Sequence, residues 1–489
     1  MTPWSRHPTI YEINTWAWLH DLSEQARRPL TLGNVPKHVW DSLASYGCDA
    51  IWLMGVWERS PAGVGISMAN DGLLNEFRRL LPDFTPEDNI GSAYCVKAYR
   101  VDMRIGGPEG LAQARSELAA RGMRLILDFV PNHVAPDHSW ATDHPEYFIQ
   151  GSASEMTERP GEFLRVGDHV LACGRDPYFA PWQDVLQLNA FSADLRKAAV
   201  ETVVSIAGQC DGMRCDMAML LLNRVFERTW GPRAGAMPQT EYWREVIGVV
   251  KERHPDVLFM AEAYWDLESE LQQQGFDFCY DKRLYDRLEH DNAEAVRLHL
   301  CADSGYQQRL VRFIENHDEP RAAATFSARK ARAVAVTVST LQGAVLLHEG
   351  QFDGRRVRLP VFLRRRPKEP VDRGLLEFYV RLLRILHGGD FKSGQWQLCV
   401  RTGWPDNQSH LNLVAWSWAH EDTHHLIVVN LSDQPSQGRI RIPALDLAGR
   451  TWRVTDELNG TMYEREGHEL QQDGLYVELD AWGVHVLKF

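Results

Sequence analysis

The first third of the chain alternates between short, continuously apolar runs and amphipathic segments. Apolar runs lie at residues 10–14, 50–56 and 124–130, and helical patterns near residues 35–46 and 108–121 separate them. A continuous apolar run is typical of a strand that is buried on both faces, as the strands of parallel sheets are. The alternation therefore predicts a parallel sheet with crossover helices.

Residues 131–189 interrupt this alternation, because they are rich in Pro, Asp, His, Gly and aromatic residues and show no sustained period. The segment is too long for a simple loop between a strand and a helix, so we interpret it as a small inserted domain after the third strand. Alternation then resumes, and further strands are predicted at residues 212–216, 257–262, 276–280, 310–316 and 344–348. Eight parallel strands close as a (β/α)₈ TIM barrel.

After a last helix at residues 374–387, the pattern changes to short or alternating strands without helices between them. These strands are predicted at residue 400 and at residues 412–417, 425–431, 437–442 and 476–489. The sequence thus predicts an α/β fold with three domains: a barrel of residues 1–130 and 190–388, the insertion of residues 131–189, and an antiparallel β-sandwich of residues 389–489.

Composition narrows the possible partners and the compartment. The 489 residues carry a formal net charge of −13 with a pI near 5.8, which argues against nucleic acid, because phosphate neutralisation needs a basic surface. We expect no membrane association, since no stretch reaches the ~18 apolar residues of a membrane helix and residues 1–8 lack a signal-peptide core. The eight cysteines form no C-x-x-C pair, so we expect free thiols in a reducing compartment, the cytoplasm. The oligomeric state stays open.

Polar side chains follow the predicted strands at the points where four of them end. In a barrel these ends meet at one face, where chemistry takes place. Charges at buried strand ends are costly unless they are paired or needed. A structural salt bridge is the alternative explanation for the pair Arg214 and Asp216. The residues at the strand ends are Asp128, Asn132 and His133 at the third, Arg214 and Asp216 at the fourth, Glu262 at the fifth, and Asn316, His317 and Asp318 at the seventh.

Asp216 and Glu262 have different sequence neighbours, and the difference suits a nucleophile and a general acid. Asp216 is two positions from Arg214 on the same strand face, and a neighbouring guanidinium favours the ionised carboxylate. Glu262 lies between Ala261 and Ala263, and apolar neighbours raise a carboxyl pKa. A nucleophilic carboxylate with a general acid/base partner is the pair that a retaining glycosidase needs.

Four sequence motifs carry a family resemblance, and they come in the family's order. They read D-F-V-P-N-H at residues 128–133, G-M-R-C-D at 212–216, A-E at 261–262 and F-I-E-N-H-D at 313–318. The chain resembles the α-amylase family of retaining glycoside hydrolases and transglycosylases, a family with a catalytic barrel, an insertion after the third strand and a C-terminal β-sandwich. The resemblance implies Asp216 as nucleophile, Glu262 as general acid/base and Asp318 as the carboxylate that distorts the sugar ring.

The same resemblance implies a set of substrate-binding residues. Tyr94 matches the tyrosine that stacks on the reacting sugar, and its alternative role is ordinary packing. For His133 and His317 the alternative is a structural histidine. The implied substrate-binding residues are Tyr94, Asp128, His133, Arg214 and His317.

Some positions depart from the family pattern. The Lys-His pair that usually follows the nucleophile on the acceptor side is replaced by Met219 and Leu220, which offer no hydrogen bonds to sugar hydroxyls. Gln187 replaces the usual Asp before Leu188 and Asn189. We expect no cofactor and no metal site. Calcium at Asn132 stays possible but is in doubt, because it needs a set of hard oxygen ligands.

The sequence predicts a retaining hydrolase for α-glucosidic bonds in short oligosaccharides, with an α-glucoside or oligosaccharide as its partner molecule. The first alternative is a transglycosylase, phosphorylase or isomerase that passes a glucosyl unit to a sugar, a phosphate or a small polyol. The second is a non-catalytic member, against which the intact Asp216, Glu262 and Asp318 argue. Six aromatic residues of the insertion either wall the mouth of the site or form that domain's core: Tyr147, Phe148, Phe163, Tyr178, Phe179 and Trp182.

Overall fold

The computed structural model describes residues 3–388, 391, 394–421, 423–443 and 446–489. Its centre is a closed barrel of eight parallel strands surrounded by helices, so the predicted (β/α)₈ fold is confirmed. The barrel strands are Thr9–Asn14, Ala50–Met54, Arg124–Phe129, Gly212–Cys215, Leu258–Ala261, Phe278–Tyr280, Leu310–Arg312 and Ala344–His348. Each of the eight overlaps a strand predicted from an apolar run. The fourth, fifth and seventh end earlier than predicted, so Asp216, Glu262 and residues 316–318 follow the strands, whereas Arg214 lies within the fourth.

Strand register places the charged residues side by side. Arg214 on the fourth strand lies opposite Asp128 on the third and Met260 on the fifth. Because parallel strands share one direction, the residues that follow these three strands emerge at the same face.

Helices cover the outside of the barrel and continue into the loops. Asn14 and Ser192 accept hydrogen bonds from backbone N–H groups at the starts of two of them, which satisfies donors that a helix start leaves unpaired. The helices that follow or connect the barrel strands are Thr15–Ala26, Lys37–Ser45, Pro61–Met68, Asp71–Leu80, Gly107–Ala119, Ala193–Ala207, Asn223–Trp230, Tyr242–Arg253, Glu268–Gln273, Lys282–His290, Ala293–Leu300, Ser304–Gln307, Ala322–Thr325, Ala328–Thr340 and Arg373–Leu386.

A small antiparallel sheet of two strands, Trp57–Arg59 and Val96–Val101, lies beside the second strand and was not predicted from the sequence. Gly55 leads into it with a φ of +77°. A Cβ at Gly55 would lie 2.8 Å from Nη2 of Arg59, and its backbone N–H donates to Oδ2 of Asp128 at 3.1 Å. Only glycine fits a positive φ and this close approach without strain.

The insertion contains an antiparallel sheet of four strands: His133–Val134, Phe163–Val166, His169–Gly174 and Trp182–Gln187. The helices Trp140–Asp143 and Ala153–Glu158 lie in its loops. Its aromatic residues divide between the two predicted roles. Tyr147, Phe148 and Phe163 are buried, whereas Tyr178 and Phe179 are 51% and 72% exposed.

The last part of the described chain is all antiparallel sheet apart from one short helix, Gly467–Gln472, and a 3₁₀ turn. The indole N–H groups of Trp416 and Trp418 donate to the carbonyl of Thr340, at 3.2 and 2.7 Å, and fasten this part to the barrel. The predicted strand 476–489 is two strands, because a turn at residues 480–483 divides it. One sheet has six strands and the other three: Gln395–Leu398, Leu413–His420, Thr423–Asn430, Val484–Lys488, Thr451–Asp456 and Thr461–Glu466; then Val400–Thr402, Ser436–Arg441 and Leu475–Leu479.

Candidate active site

Arg214 holds two carboxylates with one guanidinium. Its Nη1 lies 2.7 Å from Oδ1 of Asp216, and its Nη2 lies 2.7 Å from Oε2 of Glu262. The arginine is fully buried, so these ion pairs are little screened by solvent. Asp128 and Asp318 lie farther from the same guanidinium, at 3.9 and 4.0 Å. One buried cation thus positions the whole acidic group at the strand ends.

Glu262 has a hydrogen-bond donor on each oxygen besides the arginine. The backbone N–H of Met217 donates to Oε2 at 2.7 Å, and the hydroxyl of Tyr264 donates to Oε1 at 2.8 Å. Met217 has a left-handed φ of 42° directly after the fourth strand and Asp216. Burial raises the pKa of Glu262, and Arg214 only partly offsets this, so that it reaches about 7. A carboxyl group with such a pKa can hold a proton near neutral pH and donate it.

The pKa of Asp216 differs from the sequence-based expectation. Burial raises it above the usual value, and the ion pair with Arg214 offsets burial only in part. The expectation that Arg214 keeps the pKa of Asp216 low is therefore wrong, because burial raises this pKa by more than the neighbouring guanidinium lowers it. Glu262 and Asp216 share this guanidinium, and burial raises the pKa of both carboxyl groups.

A second chain of polar contacts runs through His317. Its Nδ1 lies 2.5 Å from Oε1 of Glu12, and its Nε2 lies 2.9 Å from Oδ2 of Asp318 and 2.7 Å from the hydroxyl of Tyr94. Burial lowers the pKa of His317, but Asp318 and Glu12 outweigh burial and hold it well above its usual value. The side chain of Asp318 is 45% exposed, and His317 outweighs its partial desolvation and lowers the pKa of that carboxyl to about 2. Asp318 is therefore ionised at neutral pH.

The carboxylates open into a cavity of about 330 Å³. Five of the residues singled out from the sequence line it: Tyr94, His133, Asp216, Glu262 and Asp318. Burial lowers the pKa of His133 to about 4, so its imidazole is neutral at pH 7. The remaining lining residues are Ser92, Trp182, Asp184, Val185, Met217, Tyr264 and Phe362.

The other three predicted binding residues lie behind this cavity. Asp128, Arg214 and His317 are at most 4% exposed and are not part of its lining. Glu12 was not singled out as a site residue. The sequence feature that could have indicated Glu12 is its charge, because it is the one charged residue of a first strand that is buried throughout.

A larger cavity of about 660 Å³ adjoins the first, and Met217 and Tyr264 line both. Because these two residues contact Glu262, the larger cavity lies on the side of the acid. Met219 and Leu220 do not line it, since they are 0% and 3% exposed. The expectation that they present apolar groups to an acceptor is wrong, because they pack into the core instead. The other lining residues are Asp176, Phe179, Trp265, Glu268, Lys282, Arg283, Asp286 and Glu319.

The residues around Asn132 do not fit a calcium ion. Nε2 of Gln187 donates to the carbonyl and to Oδ1 of Asn132, at 3.0 and 2.9 Å, and to the carbonyl of Leu188 at 3.0 Å. These are the oxygens a hard cation would need, and an amide N–H₂ occupies them. Over the described ranges, no cluster of three or more His, Cys, Asp or Glu side chains has the arrangement of a metal site.

Comparison with known proteins identifies the family. The family model described as "Alpha amylase, catalytic domain" matches residues 39–356. The chain belongs to the α-amylase family. This is the family of glycoside hydrolases and transglycosylases to which the four sequence motifs pointed.

The curated relatives are distant and longer. The chain is 25% identical to "Alpha-amylase MalA" of Haloarcula japonica over 365 residues, which are 73% of this chain and 45% of that protein. It is 30% identical to "Alpha-1,4-glucan:maltose-1-phosphate maltosyltransferase 2" of Streptomyces coelicolor over 168 residues, 34% of this chain and 20% of the relative. The matched segments thus span less than half of each of these relatives.

Solved structures of the same fold match over the whole length. The maltogenic α-amylase AmyB of Thermotoga neapolitana has a TM-score of 0.70 at 16% identity and covers 99% of both chains. A cyclic α-maltosyl-(1→6)-maltose hydrolase of Arthrobacter globiformis has a TM-score of 0.66 at 17% identity and covers 100% of both. At such identities the similarity establishes the fold of this α-amylase family member and nothing further.

Proposed function

We propose that this protein is a retaining glycosidase that cleaves α-glucosidic bonds in short oligosaccharides. The observation that carries the proposal is the guanidinium of Arg214, bonded at 2.7 Å to both Asp216 and Glu262. Retaining enzymes hold their two carboxyl groups ~5–5.5 Å apart and inverting enzymes ~6.5–9.5 Å apart. A single bridging guanidinium favours the shorter separation.

In the first step, Asp216 attacks the anomeric carbon while Glu262 gives its proton to the glycosidic oxygen. The C–O bond breaks, the aglycone leaves as an alcohol, and a glycosyl ester of Asp216 forms. In the second step, Glu262 takes a proton from water, the oxygen of that water attacks the anomeric carbon, and the ester bond breaks. Two inversions give net retention. Ionised Asp318, at the mouth of the cavity, binds sugar hydroxyls and stabilises the distorted ring.

We assign the remaining residues by their places in the cavity. Tyr94 and His133 line it and can contact the sugar. Arg214, His317 and Asp128 lie behind the carboxylates and fix their positions and charges. Under this proposal no cofactor takes part.

The preference for short substrates rests on the size of the cavity beside Asp216. It measures about 330 Å³, half the volume on the acid side, and Trp182, Val185 and Phe362 form part of its wall. The small cavity suits one hexosyl unit of the donor, and the larger one suits the aglycone. The second candidate, transfer to a sugar or polyol acceptor, is favoured by that larger cavity, because an acceptor enters where the aglycone leaves.

Two further expectations belong to this proposal. The eight cysteines are all free thiols, which supports a cytoplasmic location.

We also propose the domain limits given above, 1–130 with 190–388, 131–189 and 389–489. The structure describes no helix that is long and apolar enough to cross a membrane.

Product analysis tests the proposal. The enzyme is incubated with maltose, maltotriose, sucrose, trehalose and soluble starch, with and without excess acceptor sugar, and the first product is followed by proton NMR before mutarotation. We expect the α-anomer first and a higher kcat/KM on maltotriose than on starch per reducing end. A β-anomer that forms first would refute the retaining mechanism, and faster attack on starch would refute the preference for short chains. Transfer products in excess over hydrolysis would favour the second candidate.

A further inference from the structure

Arg59 carries a buried positive charge that no carboxylate of the described chain pairs with. Arg59 belongs to the two-stranded sheet beside the second barrel strand, and it is 4% exposed. Across the described ranges, no Asp or Glu oxygen lies within 4.0 Å of its guanidinium, and its Nε has no hydrogen-bond partner. Its Nη1 donates to two backbone carbonyls, those of Gly91 and Val361. Burial lowers the pKa of Arg59 to about 9; Arg104 adds to this effect, and Asp102 and Asp128 offset only part of it.

Arg59 lines a cavity of about 440 Å³ that is separate from both cavities of the active site. Its charged lining comprises four cations, Arg59, Lys97, Arg100 and Arg104, and two carboxylates, Glu58 and Asp102. In a protein with a net charge of −13, a cavity with a surplus of two positive charges is unusual.

The existing ion pairs leave this surplus in place. Glu58 forms ion pairs with both Arg100, at 2.5 Å, and Lys97, at 3.4 Å. Arg104 forms an ion pair with Asp102 at 2.7 Å. Lys97 and Arg104 are 35% and 55% exposed at the side chain, so both can turn towards a ligand. Asp102, whose charge offsets part of the burial of Arg59, is thus already paired with Arg104.

We propose that this cavity binds a phosphate group, with Arg59 as its anchor. A guanidinium presents donors in a planar fork that matches phosphate oxygens, and Arg59 lines the cavity. A phosphate dianion also matches the surplus of two charges. The cavity is within the ~300–1,000 Å³ range of small-molecule sites, so either inorganic phosphate or the phosphate of a sugar ester can fill it.

The start of the adjoining helix, Pro61–Met68, is not part of this site. Asp137 already accepts hydrogen bonds from the hydroxyl of Ser60, at 2.5 Å, and from the N–H of Ala62, at 3.4 Å. The positive end of the helix is therefore occupied by a carboxylate, and the ligand would rest on the side-chain cations instead.

Isothermal titration calorimetry of the full chain tests the proposal, with sodium phosphate and, separately, glucose 6-phosphate at pH 7 and constant ionic strength. We expect saturable one-to-one binding with a Kd of ~1 mM or lower, which corresponds to about −4 kcal/mol. If sodium phosphate binds more tightly, the natural ligand is free phosphate; if glucose 6-phosphate binds more tightly, it is a sugar phosphate ester. The double variant Lys97→Gln/Arg104→Gln should weaken binding about tenfold, or ~1.4 kcal/mol. Arg59→Lys, which keeps a charge but loses the fork, should abolish saturation.

The double variant separates this site from the catalytic cavity, which neither residue lines, and a distant variant tests for non-specific attraction. Arg253→Gln removes an exposed arginine on a distant helix and should leave the Kd unchanged. Because Arg59 also ties two loops together, circular dichroism must show that Arg59→Lys is folded. If it is not, the double variant decides alone. An absence of saturation at roughly 10 mM phosphate, where a Kd of ~1 mM would give about nine-tenths occupancy, would overturn the proposal, as would an equal Kd for wild type and double variant.

Discussion

Glu12 and His317 are 305 positions apart in sequence, yet Oε1 of Glu12 lies 2.5 Å from Nδ1 of His317. Glu12 belongs to the first barrel strand and is fully buried, and its Oε2 has no hydrogen-bond partner among the described residues. Burial raises the pKa of Glu12, but His317 and His348 outweigh burial and lower it. A buried carboxylate therefore holds the imidazole that in turn keeps Asp318 ionised. Closure of the barrel creates this relationship, because it brings the first and seventh strands to the same mouth.

Glu12→Gln should lower the pKa of His317 by about one unit or more, since it removes one of two facing carboxylates. Folded His317 has a raised pKa, so its pairing stabilises the fold fully below the unfolded pKa of ~6.5 and is lost as pH rises through the folded pKa. The free energy of unfolding of the variant should fall by about 1–3 kcal/mol at pH 6, and the deficit should shrink at alkaline pH. NMR titration of labelled histidine and urea unfolding measure both effects.

Glu252→Gln, an exposed carboxylate on the helix Tyr242–Arg253, is the matched control and should change neither quantity. A pKa of His317 that is unchanged in Glu12→Gln would show that Asp318 alone holds the charge.

The barrel could be predicted because each of its strands lies in a short, largely apolar run and helical patterns separate most of these runs. The grouping of Asp216, Glu262 and Asp318 around one cavity could be predicted, because these residues follow three of the strands. The partnership of Glu12 with His317 could not, since a pattern along the chain does not show which side chains meet across a closed barrel. The pKa of Asp216 could not either, because it depends on depth of burial. The strands Thr451–Asp456 and Thr461–Glu466 were missed, as only one of their faces is buried or partly buried.

Substitution of the two carboxylates held by Arg214 should separate their roles. Asp216→Asn should reduce kcat by at least ~10⁴-fold, because an amide cannot form the glycosyl ester. Glu262→Gln should reduce kcat/KM by about 10²–10⁴-fold on natural glycosides and far less on an α-glucosyl fluoride, whose leaving group needs no proton. Equal loss on both substrates would contradict the role of Glu262 as acid. Circular dichroism must confirm that both variants are folded.

The pH profile of kcat/KM should fall on the alkaline side near pH 7, where Glu262 loses its proton, and on the acid side where Asp216 gains one. Tyr264→Phe removes the donor to Oε1 of Glu262. A lost donor disfavours the ionised carboxylate, so the pKa of Glu262 should rise by about one unit and the alkaline limb should move with it. Tyr178→Phe, on the exposed edge of the insertion, should leave the limb in place. A limb unmoved in Tyr264→Phe would mean that another group controls it.

The stability of the protein should not depend on calcium, because the amide of Gln187 already bonds to the oxygens of Asn132. The Tm should be unchanged by EDTA and by added calcium chloride. Gln187→Asp replaces a hydrogen-bond donor with a fully buried carboxylate that faces those oxygens, so we expect a loss of about 1–3 kcal/mol in EDTA. Calcium should restore part of this loss, since the same oxygens could then ligate the ion. Gln187→Ala, which loses the hydrogen bonds without adding a charge, is the control and should not respond to calcium. A wild-type Tm that falls in EDTA and recovers with calcium would show that a cation binds this protein in its native state.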